Sequence, residues 1–167
     1  MQGPGFPLPE NTVRKAKKQK APSAIALLKQ DHAYVKQAYR QFEKMDQEDL
    51  PALKALVDEV CKALEAHTKV EEEILYPALR RAIDDDDLME EAEIEHDSAK
   101  TLIKRLKRMR PSDPSYAPSF TVLCEYVLHH VKEEETEMFP KAQRRKLNLQ
   151  LLGRKIMDRK MKLLRRG

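Results

Sequence analysis

Glycine is scarce in this chain, with 4 glycines among 167 residues. So few glycines argue against a β-sandwich with many tight turns, against a glycine-rich nucleotide-binding loop and against a flexible low-complexity protein. Tryptophan is absent, and Tyr and Phe together number nine. No apolar run reaches the roughly 18 residues that a membrane-spanning helix needs, so we expect none. The first 20 residues contain no apolar stretch, so we do not expect a secretory signal there.

Cysteine is almost as rare, since the chain has two cysteines and no Cys-x-x-Cys pair. Without a signal for secretion, two isolated cysteines indicate free thiols in a reducing compartment. We therefore expect a cytoplasmic protein.

Charge is abundant but unevenly distributed, since 36% of the residues are charged and the net charge is +4. Residues 1–21 carry a net charge of +4 and residues 141–167 carry +10, whereas residues 22–140 carry −10. The high isoelectric point therefore belongs to the two ends of the chain. An acidic middle is a poor reader of nucleic acid and a suitable source of carboxylate ligands for a cation.

The prolines divide the chain into segments of helical periodicity. We predict helices over about Ser23–Met45, Pro51–Tyr76, Asp84–Arg110 and from the 111–118 linker to Phe139, followed by a basic segment after Pro140. Four helices of similar length with short connections favour an all-α, up-down-up-down four-helix bundle built from two helical hairpins. We expect residues 1–21 to be disordered, residues 22–140 to form the bundle, and residues 141–167 to form a basic amphipathic C-terminal helix interrupted near Gly153.

An internal repeat relates the two hairpins. The segments Cys61–Pro77 and Cys124–Pro140 share six of 17 residues at a shift of 63. A shift of 64 pairs His32 with His96 on the first helices of the two hairpins. Each hairpin therefore has one histidine on its first helix and a His-x-x-x-Glu sequence on its second.

This pattern predicts a site for two metal ions. Residues four apart lie on one helix face, so His67 can act with Glu71 and His130 with Glu134. Imidazole and carboxylate together suit iron, manganese or zinc. Four histidines supply two nitrogen ligands per ion, the two glutamates can bridge the ions, and an oxo or hydroxo bridge would complete the core. His129 lies five residues before Glu134 and is the alternative to His130 on the fourth helix.

These motifs resemble those of the hemerythrin HHE cation-binding family. The resemblance is carried by SAIALLKQDHAYVKQ, HTKVEEEILYP, IEHDSAK and HHVKEEETEMFP, and covers residues 22–140. It implies a four-helix bundle with an oxo- or hydroxo-bridged centre of two non-haem iron ions that binds dioxygen or a related small molecule. The ligands that it implies are His32, His67, Glu71, His96, His130 and Glu134.

One position departs from the oxygen-carrying hemerythrins, which have a second histidine one turn after the third-helix ligand. Here that position is Lys100. Four histidines instead of five favour binding or sensing of dioxygen, nitric oxide or peroxide over reversible oxygen carriage. The alternatives are a di-iron peroxidase or oxidase, and a binding module that uses the basic tail on nucleic acid or membrane. For the tail we favour packing on the bundle or formation of a homodimer over contact with nucleic acid or membrane.

Overall fold

The structure is a computed structural model that describes residues 21–165. The predicted all-α fold is confirmed, because the described residues form helices and contain no strand. The helices are α1 (Ala24–Lys44), α2 (Leu50–Val70), α3 (Tyr76–Ala82), α4 (Asp86–Arg108), α5 (Tyr116–Glu133), α6 (Phe139–Arg144) and α7 (Leu149–Leu164). The predicted disorder of residues 1–21 falls almost entirely outside the described residues.

Polar side chains fix where four of these helices begin. Ser23, Asp49, Asp85 and Asn148 each accept a hydrogen bond from the backbone N–H three residues later. Such N-caps satisfy one of the amide groups that have no partner within the helix. The caps place the starts of α1, α2 and α4 within a few residues of the predicted starts, whereas α7 begins eight residues after the predicted start of the C-terminal helix at residue 141.

The prediction that Pro77 and Pro140 end their helices is wrong. A π-helical turn precedes each proline, over Glu71–Leu75 and Glu134–Met138, and α3 and α6 continue directly from these turns. In the wider π turn, backbone N–H groups pair five residues back, and Tyr76 N–H donates to Glu71 O in this way. Proline at the second position of α3 and α6 has no N–H to pair, so it is tolerated at the start of a new α-helical turn.

The four long helices close into a bundle in which α1 packs on α2, α2 on α4, α4 on α5, and α5 on α1. Two apolar clusters fill the interior, one toward Phe42, Leu53 and Phe120 and the other toward Leu28, Leu79 and Phe139. His32, His67 and His96 fall along the chain where residues of one cluster give way to residues of the other, and His130 lies near the end of the first cluster on α5. The core therefore positions the predicted metal site in the middle of the bundle.

Helix α7 packs across α1 and α2 as a fifth helix. The predicted interruption near Gly153 is wrong, because α7 runs unbroken through this residue. Gly153 instead allows close approach: a Cβ atom there would lie 2.2 Å from Pro22 O and 2.9 Å from Ala24 N. No described helix combines the length and the apolar character needed to cross a lipid bilayer.

Candidate metal centre

The six residues predicted as ligands meet inside the bundle. They come from α1, α2, α4, α5 and the two π turns, and each is at most 6% exposed. They are His32, His67, Glu71, His96, His130 and Glu134. Polar side chains are rarely buried to this extent without partners, so a group of six in one place requires an explanation.

The six residues form two sets of donor atoms. His32, His67, Glu71 and Glu134 each offer one atom, and these atoms all lie within 4.8 Å of one another. Glu71, His96 and His130 form the second set under the same limit. We call the first set subsite 1 and the second set subsite 2.

Both glutamates connect the two subsites. Glu71 Oε2 lies 3.2 Å from His67 Nε2 and 3.3 Å from His96 Nε2. Glu134 Oε2 lies 3.2 Å from His32 Nε2, while its Oε1 lies 3.6 Å from His130 Nε2. The arrangement therefore offers what a pair of adjacent cations needs, with separate imidazoles and shared carboxylates.

Several of these atoms have no hydrogen-bond partner among the described residues. His32 Nε2, both carboxylate oxygens of Glu71 and Glu134 Oε2 are buried and make no hydrogen bond. Leaving a buried polar atom unsatisfied costs about 1–3 kcal/mol, and more for a charged group. A cation among these atoms would satisfy all four, so the residues present fit a metal centre.

Each of the four histidines is held from outside by a carboxylate at its Nδ1. The pairs are His32 with Glu135 at 2.8 Å, His67 with Asp31 at 3.0 Å, His96 with Glu72 at 3.0 Å and His130 with Glu95 at 2.6 Å. An ionised carboxylate only accepts, so Nδ1–H is the donor in each pair. The Nε2 atom of each ring then faces the centre, in the orientation that metal-binding histidines adopt.

Three of these carboxylates are in turn paired with a lysine. Lys36 Nζ lies 3.3 Å from Glu135, Lys100 Nζ lies 2.6 Å from Glu72, and Lys160 Nζ pairs with Asp31. Lys36 and Lys100 occupy equivalent positions in the repeat, whereas Lys160 belongs to α7. The position that departs from the oxygen carriers therefore supports His96 through Glu72.

The fourth carboxylate, Glu95, has His129 near it instead of a lysine. His129 Nε2 lies 4.0 Å from Glu95 Oε1, and the side chain is 64% exposed. His130 faces the centre and His129 lies outside it.

The electrostatics of the centre follow from the close packing of carboxylates and imidazoles. Burial alone would lower the pKa of His67, but Glu71 and Asp31 outweigh it and raise this pKa to about 10. Burial likewise opposes the charge on Glu71, but His67 and His96 hold its pKa well below the usual range. The centre is thus built to keep its carboxylates ionised and to balance them with positive charge.

Tyr76 is a member of the centre that the sequence analysis missed. Its hydroxyl donates to Glu134 Oε1 at 3.2 Å and lies 3.1 Å from His96 Nε2 and 3.4 Å from His130 Nε2. Its counterpart in the repeat is Phe139, which stacks on His32 with ring centroids 5.8 Å apart. The two subsites therefore differ by a phenol oxygen, which lies at subsite 2.

A cavity of about 210 Å³ adjoins subsite 1. His32 and His67 contribute to its wall, and most of the remaining wall is apolar, from Val35, Leu64, Val127 and Val131. Asp31 and Lys160 also line it. A space of this size and polarity suits a small uncharged molecule better than a large or polar substrate.

Comparison with known proteins agrees with this geometry. The sequence profile of the family described as Hemerythrin HHE cation binding domain matches residues 23–142. The chain is similar to the solved structure of a hemerythrin HHE cation binding domain-containing protein from Mycobacterium kansasii, with a TM-score of 0.72 and 27% identity. That similarity covers 85% of this chain and 87% of the other.

A curated relative is longer. It is named DNA nickase, from Nostoc sp. (strain PCC 7120), and is 27% identical over 113 residues. The match covers 68% of this chain and 31% of the relative, so the chain spans less than a third of that protein's length.

Proposed function

The chain belongs to the hemerythrin HHE cation-binding family, and we propose that it binds or senses dioxygen, nitric oxide or peroxide at a centre of two non-haem iron ions with an oxo or hydroxo bridge. The proposed ligands are the four histidines and two glutamates of subsites 1 and 2. When bound, such an iron pair supplies one-electron redox chemistry and open positions for a small ligand. With both cysteines free, we propose a cytoplasmic setting for this activity.

One observation carries the proposal. Buried acceptor atoms of His32, Glu71 and Glu134 face one another and make no hydrogen bond within the described chain. Two sets of donors share Glu71, and Glu134 also reaches histidines of both sets. This favours a pair of ions over a single ion.

Carboxylates and apolar side chains around the proposed ligands orient the histidines and limit the access of water. The carboxylates at the four Nδ1 atoms fix the orientation of the rings, so each Nε2 already faces the centre before an ion binds. Val35, Leu64 and Val127 are buried and line the cavity beside His32 and His67, which limits the access of bulk water to these rings. Excluding water protects a reactive small ligand from side reactions.

Tyr76 gives subsite 2 a proton donor. Burial, reinforced by Glu71 and Glu134, raises the pKa of its phenol well above the ordinary value, so the hydroxyl keeps its proton. The O–H that donates to Glu134 can donate instead to an anionic ligand at subsite 2. This position favours a second candidate function, peroxide reduction, in which a proton must be delivered to the departing oxygen.

The primary test is the iron content of the folded chain. Elemental analysis after anaerobic reconstitution should give two iron ions per chain. Replacing a shared carboxylate, as in Glu71→Ala or Glu134→Ala, should lower that number, whereas the exposed Glu137→Ala is the matched control and should keep both ions. At most one ion in the reconstituted wild type would refute a di-iron centre.

Optical spectra separate binding from turnover. A binding protein or sensor should show a stoichiometric spectral change with dioxygen or nitric oxide and no sustained peroxide consumption. A peroxidase should consume many equivalents of peroxide, and Tyr76→Phe should slow this turnover while retaining iron. Turnover that is unchanged in Tyr76→Phe would remove the phenol from the mechanism.

The name of the Nostoc relative raises a further candidate, DNA strand cleavage. The exposed basic residues of α7, Arg154, Lys155 and Lys162, favour contact with DNA, although the bundle beneath them is acidic. Nicking of supercoiled plasmid by the iron-loaded chain, and not by the metal-free chain, would support this candidate. Intact plasmid under both conditions would exclude it.

A further inference from the structure

Large apolar side chains are exposed in two patches. Among the described residues, seven large hydrophobic side chains are exposed, and six of them belong to these patches. Ile94, Val122 and Tyr126, which are 64%, 48% and 41% exposed, lie together between α4 and α5. Leu151, Met157 and Met161 are on α7 and are 40%, 37% and 45% exposed. Groups of exposed apolar residues on a globular protein commonly mark contact surfaces.

The first patch lies in an acidic groove, which we call the α4–α5 groove. Its volume is about 760 Å³. Besides Ile94, Val122 and Tyr126, its lining consists of acidic residues and His129. The acidic residues are Asp87, Glu90, Glu91, Glu95 and Glu125. The groove therefore suits an elongated partner with apolar contacts and positive charge.

The internal repeat gives an independent indication that this groove accepts a helix. The repeat relates α4 to α1 and α5 to α2. The α4–α5 groove of the second hairpin therefore corresponds to the α1–α2 surface of the first hairpin. Helix α7 covers that α1–α2 surface, and its Lys160 pairs with Asp31, the counterpart of Glu95. No described helix covers the equivalent surface of the second hairpin.

The outer face of α7 is basic and partly apolar, which complements the acidic and partly apolar α4–α5 groove. Arg154, Lys155, Lys162 and Arg165 are exposed there beside Leu151 and Met161, and Asp158 is the acidic residue among them. Because α7 packs on α1 and α2, its outer face and the α4–α5 groove lie on opposite sides of the bundle. One copy can therefore use both surfaces at once.

We propose that the outer face of α7 of one copy docks in the α4–α5 groove of a second copy, so that the protein self-associates head to tail. The contact is heterologous, since it joins two different surfaces, and it continues into a ring or a chain of copies. Apolar residues from both patches are buried at the contact, and the basic side chains of α7 face the acidic rim. Because opposite charges meet, the association weakens as salt is raised.

Two double variants test the two surfaces. Glu91→Lys/Ile94→Lys changes the groove and leaves α7 intact. Leu151→Gln/Met161→Gln changes α7 and leaves the groove intact. All four positions are exposed, so the helical fold and melting temperature should be retained, as circular dichroism can check. Tyr34→Gln, at the seventh exposed hydrophobic position, is the matched control.

Sedimentation velocity at low salt measures the outcome. The wild type and the control should grow in mass with concentration, and added salt should reverse the growth. Each double variant should associate at least about tenfold more weakly. An equimolar mixture of the two double variants should form 1:1 dimers and nothing larger, because it retains one intact groove and one intact α7 face.

Three results would overturn the proposal. The wild type could remain monomeric at every concentration, or the mixture of double variants could fail to dimerise. The groove variant could also still form dimers by itself while the α7 variant does not, which would indicate a symmetric α7–α7 contact. None of these outcomes depends on iron, so the proposal stands or falls separately from the proposed function.

Discussion

Replacing Lys160 by methionine should weaken metal binding at subsite 1 and leave the affinity of subsite 2 unchanged. Lys160 lies on α7, far along the chain from the proposed ligands, but it pairs with Asp31, which accepts the hydrogen bond from His67 Nδ1. Methionine keeps much of the side-chain length and packing and removes the charge. Asp31 would then lose one of the two partners that fix its orientation, and His67 would be held less firmly.

The magnitude follows from the burial of the ion pair. The side chains of Lys160 and Asp31 are 21% and 22% exposed. Exposed ion pairs contribute about 0.2–1 kcal/mol, and this more buried pair should lie near the upper end. A loss of about 1 kcal/mol corresponds to about fivefold weaker binding at subsite 1. That is below the roughly 10–100-fold cost of removing the carboxylate itself, because Asp31 remains.

Metal affinities for the two subsites can be measured by chelator competition with cobalt or zinc. Lys160→Met should raise the dissociation constant of one ion by about fivefold, Lys160→Arg should restore it, and the exposed Lys155→Met is the matched control. An equal loss of affinity for both ions would indicate a general structural effect. Unchanged affinities for both ions in Lys160→Met would refute the reasoning.

Three further predictions concern other parts of the molecule. His130→Ala should lose metal because Nε2 faces the centre, whereas the exposed His129→Ala should retain nearly all of it, and iron analysis distinguishes the two; the reverse result would exclude His130 as a ligand. Gly153→Ala should destabilise the fold by about 1–3 kcal/mol, measured by denaturant unfolding, because its Cβ would overlap the chain before α1; an unchanged midpoint would contradict this. Burial raises the pKa of Cys61 and Cys124 to about 12, so near pH 8 both should react with a thiol reagent only after unfolding; fast labelling of the native chain would contradict it.

The sequence predicts the bundle well because its signals are local or repeated. Apolar periodicity and the positions of the prolines locate the long helices, and the repeat brings the six candidate ligands to equivalent positions. The repeat also contains a signal for two of the carboxylates that accept hydrogen bonds from histidine Nδ1. Asp31 and Glu95 directly precede equivalent histidines, and their pairing in the repeat was visible without the structure.

Other features depend on tertiary contacts that no local pattern encodes. Lys160 meets Asp31 across 129 residues of sequence, and nothing distinguishes it from the other basic residues of the tail. A proline interrupts regular α-helical hydrogen bonding, so the sequence predicts helix ends at Pro77 and Pro140. The preceding π turns remove that conflict, and they depend on how the surrounding bundle packs.

The π turn over Glu71–Leu75 also sets the rotational phase of everything that follows it. In a regular α-helix, nine residues rotate a side chain by about 900°, so Tyr76 would point to the side opposite His67. The wider turn unwinds the helix locally and brings the phenol back toward the bundle axis. The wider turn accommodates one residue more than an α-helical turn. If the turn closed to a regular α-helix with every residue kept, His67 would stay in place and the phenol would rotate out of reach of subsite 2, so the width of the turn decides which side chain faces that subsite.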